Sequence, residues 1–143
     1  MKTPRPVFTA LNVLGVVVFA VFAWLQREDD NPAIYEDPSM VDVWIWILFY
    51  ALIAVAFGMA LSGKFPVPLY AMIVAFCLFQ FAMTGPGLWA NITGEEGFAM
   101  TKKSMAPDHA YVEQTREFFG AVIALAAILL LFWQRSTQKS SRS

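Results

Sequence analysis

Four stretches of this chain hold almost nothing that water would keep, and each is about as long as a membrane is thick. The first, residues 7–25, carries no charge; the second, 41–61, contains only Asp42, in its first turn; the third covers 67–84 and the fourth 116–133. At 1.5 Å rise per residue, roughly 20 residues cross a hydrocarbon core of about 30 Å. Backbone groups inside lipid find no water and must bond one another, so each stretch is predicted to be a helix. The fold class that follows is all-α: one integral membrane four-helix bundle, with outer loops at about 26–40 and 85–115.

Composition narrows the field further. The chain is 58% apolar and 15% charged, against about half and a quarter in ordinary soluble domains. A net charge of -1 with scattered cations offers no surface to nucleic acid. One cysteine excludes an internal disulfide, a Cys-x-x-Cys pair and a structural zinc site, and one histidine excludes a bis-histidine haem. Lys2 and Arg5 before the first span resemble the start of a secretory signal. The apolar run is long for one, however, and Trp24 follows the small residues where cleavage would need an Ala-x-Ala site, so an uncleaved helix is predicted.

Charge sorts the connecting segments into two groups. With a cytoplasmic N-terminus, the inner segments carry Lys2, Arg5, Lys64, Arg135, Lys139 and Arg142 and no acid, while all eleven carboxyl groups fall outside. The positive-inside tendency then places both termini in the cytoplasm and two acidic loops on the outer face of a plasma membrane, in the manner of a bacterial inner membrane. Trp24, Trp44, Trp46 and Trp89, with Tyr35 and Tyr111, read as anchors at the outer border, and Trp133 with Tyr70 at the inner one. An aromatic cage for a cation is the alternative.

Small residues recur every fourth position: Ala54, Gly58 and Ser62 on the second span, Ala71 and Ala75 on the third, Gly120 and Ala124 on the fourth. That spacing stacks them on one side and lets another backbone approach, either within the bundle or on a partner protein. Asn12 and Gln80 are expected to bond between helices. No span has an ionisable group at its middle, which argues against an ion-coupled transporter. Cys77 reads as inert packing.

The first outer loop concentrates Glu28, Asp29, Asp30, Glu36 and Asp37, and the second holds Glu95, Glu96, Asp108 and Glu113. The acids form a solvated rim or, alternatively, a site for a hard cation, although the spacing is not that of a calcium loop. No cofactor is predicted otherwise, and no nucleophile–base or phosphate-cradling arrangement is visible. Pro107 and Asp108 mark a helix start, so the last helix is predicted from about 108 to Arg135 with about two turns outside the membrane. Arg116, three residues after Glu113 and beside Glu117, is expected to pair with a first-loop carboxylate and clasp the outer helix ends. Arg116→Ala should then lower the melting temperature in detergent; an unchanged melt would refute the clasp.

Two segments, FAWLQ…EDP…VWIWILFYALIA and VEQTREFFG, resemble the transmembrane protein 220 family, which shows Gln, an acid–Pro motif and a Trp at the first junction and Arg-Glu-x-x-Gly opening its last helix. The resemblance covers Gln26, Asp37, Pro38, Trp44, Arg116, Glu117 and Gly120, with Asp30-Asn31-Pro32 as a second alignment of the acid–Pro motif. It implies a small four-helix membrane protein and no reaction. It also makes the outer junction the candidate binding site, with Asp30, Asp37, Trp44, Glu113, Arg116 and Glu117. The expected function is that of a non-enzymatic accessory or assembly subunit, in contact with membrane lipids and other membrane protein subunits. The alternative is a binding protein for a cation, a lipid or another amphiphile at the outer mouth.

Overall fold

The computed structural model describes residues 5–27, 40–94, 98 and 110–142. These form four helices: α1 (Arg5–Gln26), α2 (Met40–Leu61), α3 (Val67–Thr93) and α4 (Ala110–Ser140). All four are long and apolar enough to cross a membrane, and the protein is an all-helical, multi-pass membrane protein. α1 lies along α2 and α3 along α4, each pair antiparallel, and the two hairpins meet mainly through α2.

Lipid supplies no hydrophobic drive between helices, so close packing must hold them together. The core is accordingly aromatic. Phe19 of α1 stacks on Phe57 at 5.9 Å and meets Tyr50 at 6.1 Å. Trp46 and Phe49 of α2 both reach Phe76 of α3, and Tyr70 of α3 meets Phe132 of α4 edge-on at 5.2 Å. Each such pair contributes about 0.5–1.5 kcal/mol beyond its buried area. Trp46 and Tyr70, expected as border anchors, are buried in this core instead. Trp24, Trp44, Trp89 and Trp133 are exposed, as anchors should be.

The link between α2 and α3 is as short as expected. Gly63 takes a left-handed φ of 74°, and the amides of Gly63 and Lys64 bond the carbonyls of Ala60 and Met59, closing α2 with a glycine cap. α3, by contrast, outruns its predicted end at residue 84. It continues through Pro86, although proline brings no N–H to the helix and crowds the preceding turn. Packing on α4 overrides that cost. Gly87 lies so close to Gln114 that a Cβ there would overlap its side chain, and Asn91 Nδ2 donates to Thr115 Oγ1 at 2.9 Å. α4 likewise continues past Arg135 to Ser140.

The small-residue stripes divide. Gly120 and Ala124 are buried inside the bundle, Gly120 against Trp46 and Tyr50 of α2. Ala54 and Gly58 are half-buried and Ser62 is exposed, while Ala71 and Ala75 face outward from α3. The tightest approach of α1 to α2 uses another glycine, Gly15, which lies against the Phe57 ring. Asn12 does bond between helices: Gln134 Nε2 donates to Asn12 Oδ1 at 2.9 Å. Near Gln80, which is buried, the bond is local and made by the backbone, the Gln80 main-chain carbonyl accepting the Thr84 hydroxyl at 2.6 Å.

Candidate functional site

Asp42 and Trp46 are four residues apart on α2, hence one above the other on one face; Glu113 and Glu117 are related the same way on α4. The two faces meet. Carboxyl oxygens of Asp42, Glu113 and Glu117, all half-buried, lie within 4.8 Å of one another. Trp46 Nε1 donates to Glu117 Oε1 at 3.1 Å, and the Asp42 and Glu117 carboxyl groups are in hydrogen-bond contact. Such a contact needs a compensating positive charge, either a proton or a cation, because like charges this close repel strongly at reduced dielectric.

One turn further along α4, Gly120 makes the meeting possible. A Cβ at that position would overlap the Tyr50 hydroxyl, so only glycine lets Tyr50 and Trp46 sit under this part of α4. Beside them opens a cleft of about 340 Å3. Its floor is Trp46 and Tyr50 of α2; one wall is Phe22, Leu25 and Gln26 of α1, and the other is Glu113, Arg116, Glu117 and Ile123 of α4. α1 and α4 touch directly near the opposite end of the bundle, through Asn12 with Gln134 and Phe8 with Trp133. At this end the cleft lies between them. It presents the Glu113 and Glu117 carboxyl groups with the Arg116 guanidinium on one side, and mainly aromatic and aliphatic surface with the Gln26 amide on the other.

Of the six residues predicted for the outer junction, the structure brings Glu113, Arg116 and Glu117 to the cleft, Arg116 with an exposed side chain. Trp44 is exposed on another face of α2 and takes no part; two residues later, Trp46 is the tryptophan that reaches the acids. Asp30 and Asp37, and with them the first-loop partners expected for Arg116, lie outside the described residues, as does Asp108. Sequence reading missed Asp42 and Trp46 as site residues. The signal was there in the matched i, i+4 spacing of Asp42 with Trp46 and of Glu113 with Glu117, but nothing in either pair said that the two faces would meet.

Residues 18–133 match the family model described as transmembrane family 220, helix. The match runs from within α1 to near the end of α4 and covers most of the chain, so the chain belongs to that family. No curated protein and no solved structure matches it.

Proposed function

We propose that this small membrane protein of the transmembrane 220 family is a non-enzymatic binding protein for a positively charged group, taken up at the acidic mouth of the bundle. The observation that carries the reading is the convergence of Asp42, Glu113 and Glu117 beside a cleft that Glu113 and Glu117 line together with Arg116, Gln26 and a set of aromatic and aliphatic side chains. Three carboxyl groups supply hard oxygen donors for a metal cation or a counter-charge for an ammonium head, and the apolar walls suit an attached chain. The charge distribution favours placing this mouth outward in a bacterial-type plasma membrane, with both termini cytoplasmic.

The test is thermal melting of the full-length protein in a neutral maltoside detergent, with calcium chloride or dodecylammonium as the added probe. A ligand at 100 times its Kd stabilises by about 2.7 kcal/mol, so one of the two probes should raise the melting temperature by several degrees. Glu113→Gln/Glu117→Gln should abolish the rise. Calcium acting alone would mark a metal site, and dodecylammonium acting alone an amphiphile site. If neither probe shifts the wild type, or if the double variant responds as the wild type does, the reading fails.

A second reading, an accessory or assembly subunit, has its own support. Ala71 and Ala75 face outward from α3, and beside them Leu48, Phe49, Met72 and Phe76 line an apolar groove of about 220 Å3 between α2 and α3. Small outward residues let a foreign helix approach closely. Stoichiometric co-purification with one defined membrane chain, lost in Ala71→Leu/Ala75→Leu, would support it; a protein extracted gently and always alone would not.

A further inference from the structure

At the opposite end of the bundle the chemistry reverses. Among the described residues every carboxyl side chain belongs to the acidic mouth, whereas Arg5, Lys64, Arg135, Lys139 and Arg142 all belong to this end. Here lies the larger cavity, about 510 Å3, bounded by the start of α1, the end of α2 and the end of α4 with the turn after it. Arg5 and Arg142, from opposite ends of the sequence, both line it, and among the described residues no carboxyl side chain does.

The polar groups around it are unequal. Thr9, Thr137 and Ser141 donate their hydroxyl hydrogens to carbonyls of their own segments, those of Arg5, Trp133 and Gln138. The donors left to the cavity are two guanidinium groups, the Gln138 amide and the amide of Asn12. Asn12 is 2% exposed and lines the cavity; its Oδ1 is engaged by Gln134, which leaves Nδ2 to donate inward. A concave space with two guanidinium groups, buried and half-buried amide donors and, among the described residues, no carboxyl side chain is complementary to an anion. The planar guanidinium fork matches the paired oxygens of a phosphate.

We propose that this cavity binds a phosphate-type oxyanion, with Arg5 and Arg142 as the charged jaws and Asn12 at the floor. The same chemistry is offered by the headgroup of an anionic phospholipid and by free phosphate. Native mass spectrometry of the full-length protein in maltoside detergent separates the two, with phosphatidylglycerol, phosphatidylcholine or inorganic phosphate as probe. The lipid source predicts one phosphatidylglycerol retained per chain, about tenfold above phosphatidylcholine. Phosphate retained in place of either lipid, with the same dependence on the arginines, identifies the free anion and supports the same assignment.

Arg5→Gln/Arg142→Gln should lower retention by more than about tenfold, a single guanidinium–oxyanion contact being of the order of tenfold. Lys64→Gln removes a charge from the same end without lining the cavity and should leave retention unchanged. Thr137→Phe sets a bulky ring into the cavity wall at constant charge and should lower retention in the same direction as the arginine variant. Melting temperatures of the three variants report that each is folded. Equal retention by the wild type and the arginine variant overturns the proposal. So does an equal loss in Lys64→Gln, or full retention in Thr137→Phe, since either means diffuse surface charge and not a built cavity.

Discussion

Gly15→Ala lowers the melting temperature of the protein, against the intrinsic preference of the helix. Glycine in a helix interior is ordinarily about 0.5–1 kcal/mol worse than alanine, so a helical Gly→Ala exchange in open space stabilises. At Gly15 the added Cβ would lie 2.5 Å from two atoms of the Phe57 ring and 2.7 Å from a third. That ring is 2% exposed and stacked on Phe19, so it has little freedom to turn aside. Overpacking of this kind costs about 1–3 kcal/mol, which exceeds the propensity gain and corresponds to a fall of roughly 3–6 °C for a domain of this size. Gly58→Ala is the control. Its Cβ would meet Val16 Cγ2 at 4.0 Å, an ordinary contact, and the melt should hold or rise slightly. Thermal melts of both variants in one detergent decide the matter. A destabilised Gly58→Ala beside an unaffected Gly15→Ala would mean that α1 and α2 pack through the Ala54–Gly58–Ser62 stripe after all.

The contrast between those two glycines marks how far the sequence could be read. Hydropathy and length identified all four helices, because lipid imposes that rule on every residue of a span regardless of its neighbours. Packing is a relation between two elements, and one-dimensional spacing reports only half of each relation. The 54–58–62 stripe was visible because it repeats, whereas Gly15 stands alone and is recognised only once Phe57 is opposite. The same limit hid the acidic mouth. Glu113, Arg116 and Glu117 were singled out from their place at the head of the last helix, but Asp42 and Trp46 became part of a site only when α2 and α4 were set side by side, with Gly120 permitting the approach. Where the predicted end of a span fell short, at residue 84, contacts between helices again carry the helix on: Gly87 with Gln114, and Asn91 with Thr115.

Asn12 and Gln134 provide the sharper test of what joins the first helix to the last. Both are buried, at 2% and 0% exposure, and they share the bond from Gln134 Nε2 to Asn12 Oδ1. Gln134 Oε1 already lacks a partner. Asn12→Leu therefore strands the whole Gln134 amide in a place that water does not reach, and a buried polar group left unpaired costs about 1–3 kcal/mol. The bond itself is worth less, on the order of 0.6–2 kcal/mol between membrane helices, so most of the loss comes from the abandoned partner. It follows that Asn12→Leu/Gln134→Leu should be more stable than Asn12→Leu alone and should approach the wild type, because the second change removes the stranded amide and its orphan oxygen together. The expected double-mutant cycle is strongly non-additive, with a coupling of about 1–2 kcal/mol, read from melting temperatures in one detergent. Additive losses would show that each side chain is stabilised by its own helix. Phe8 with Trp133 would then carry the contact between α1 and α4 without a polar pin.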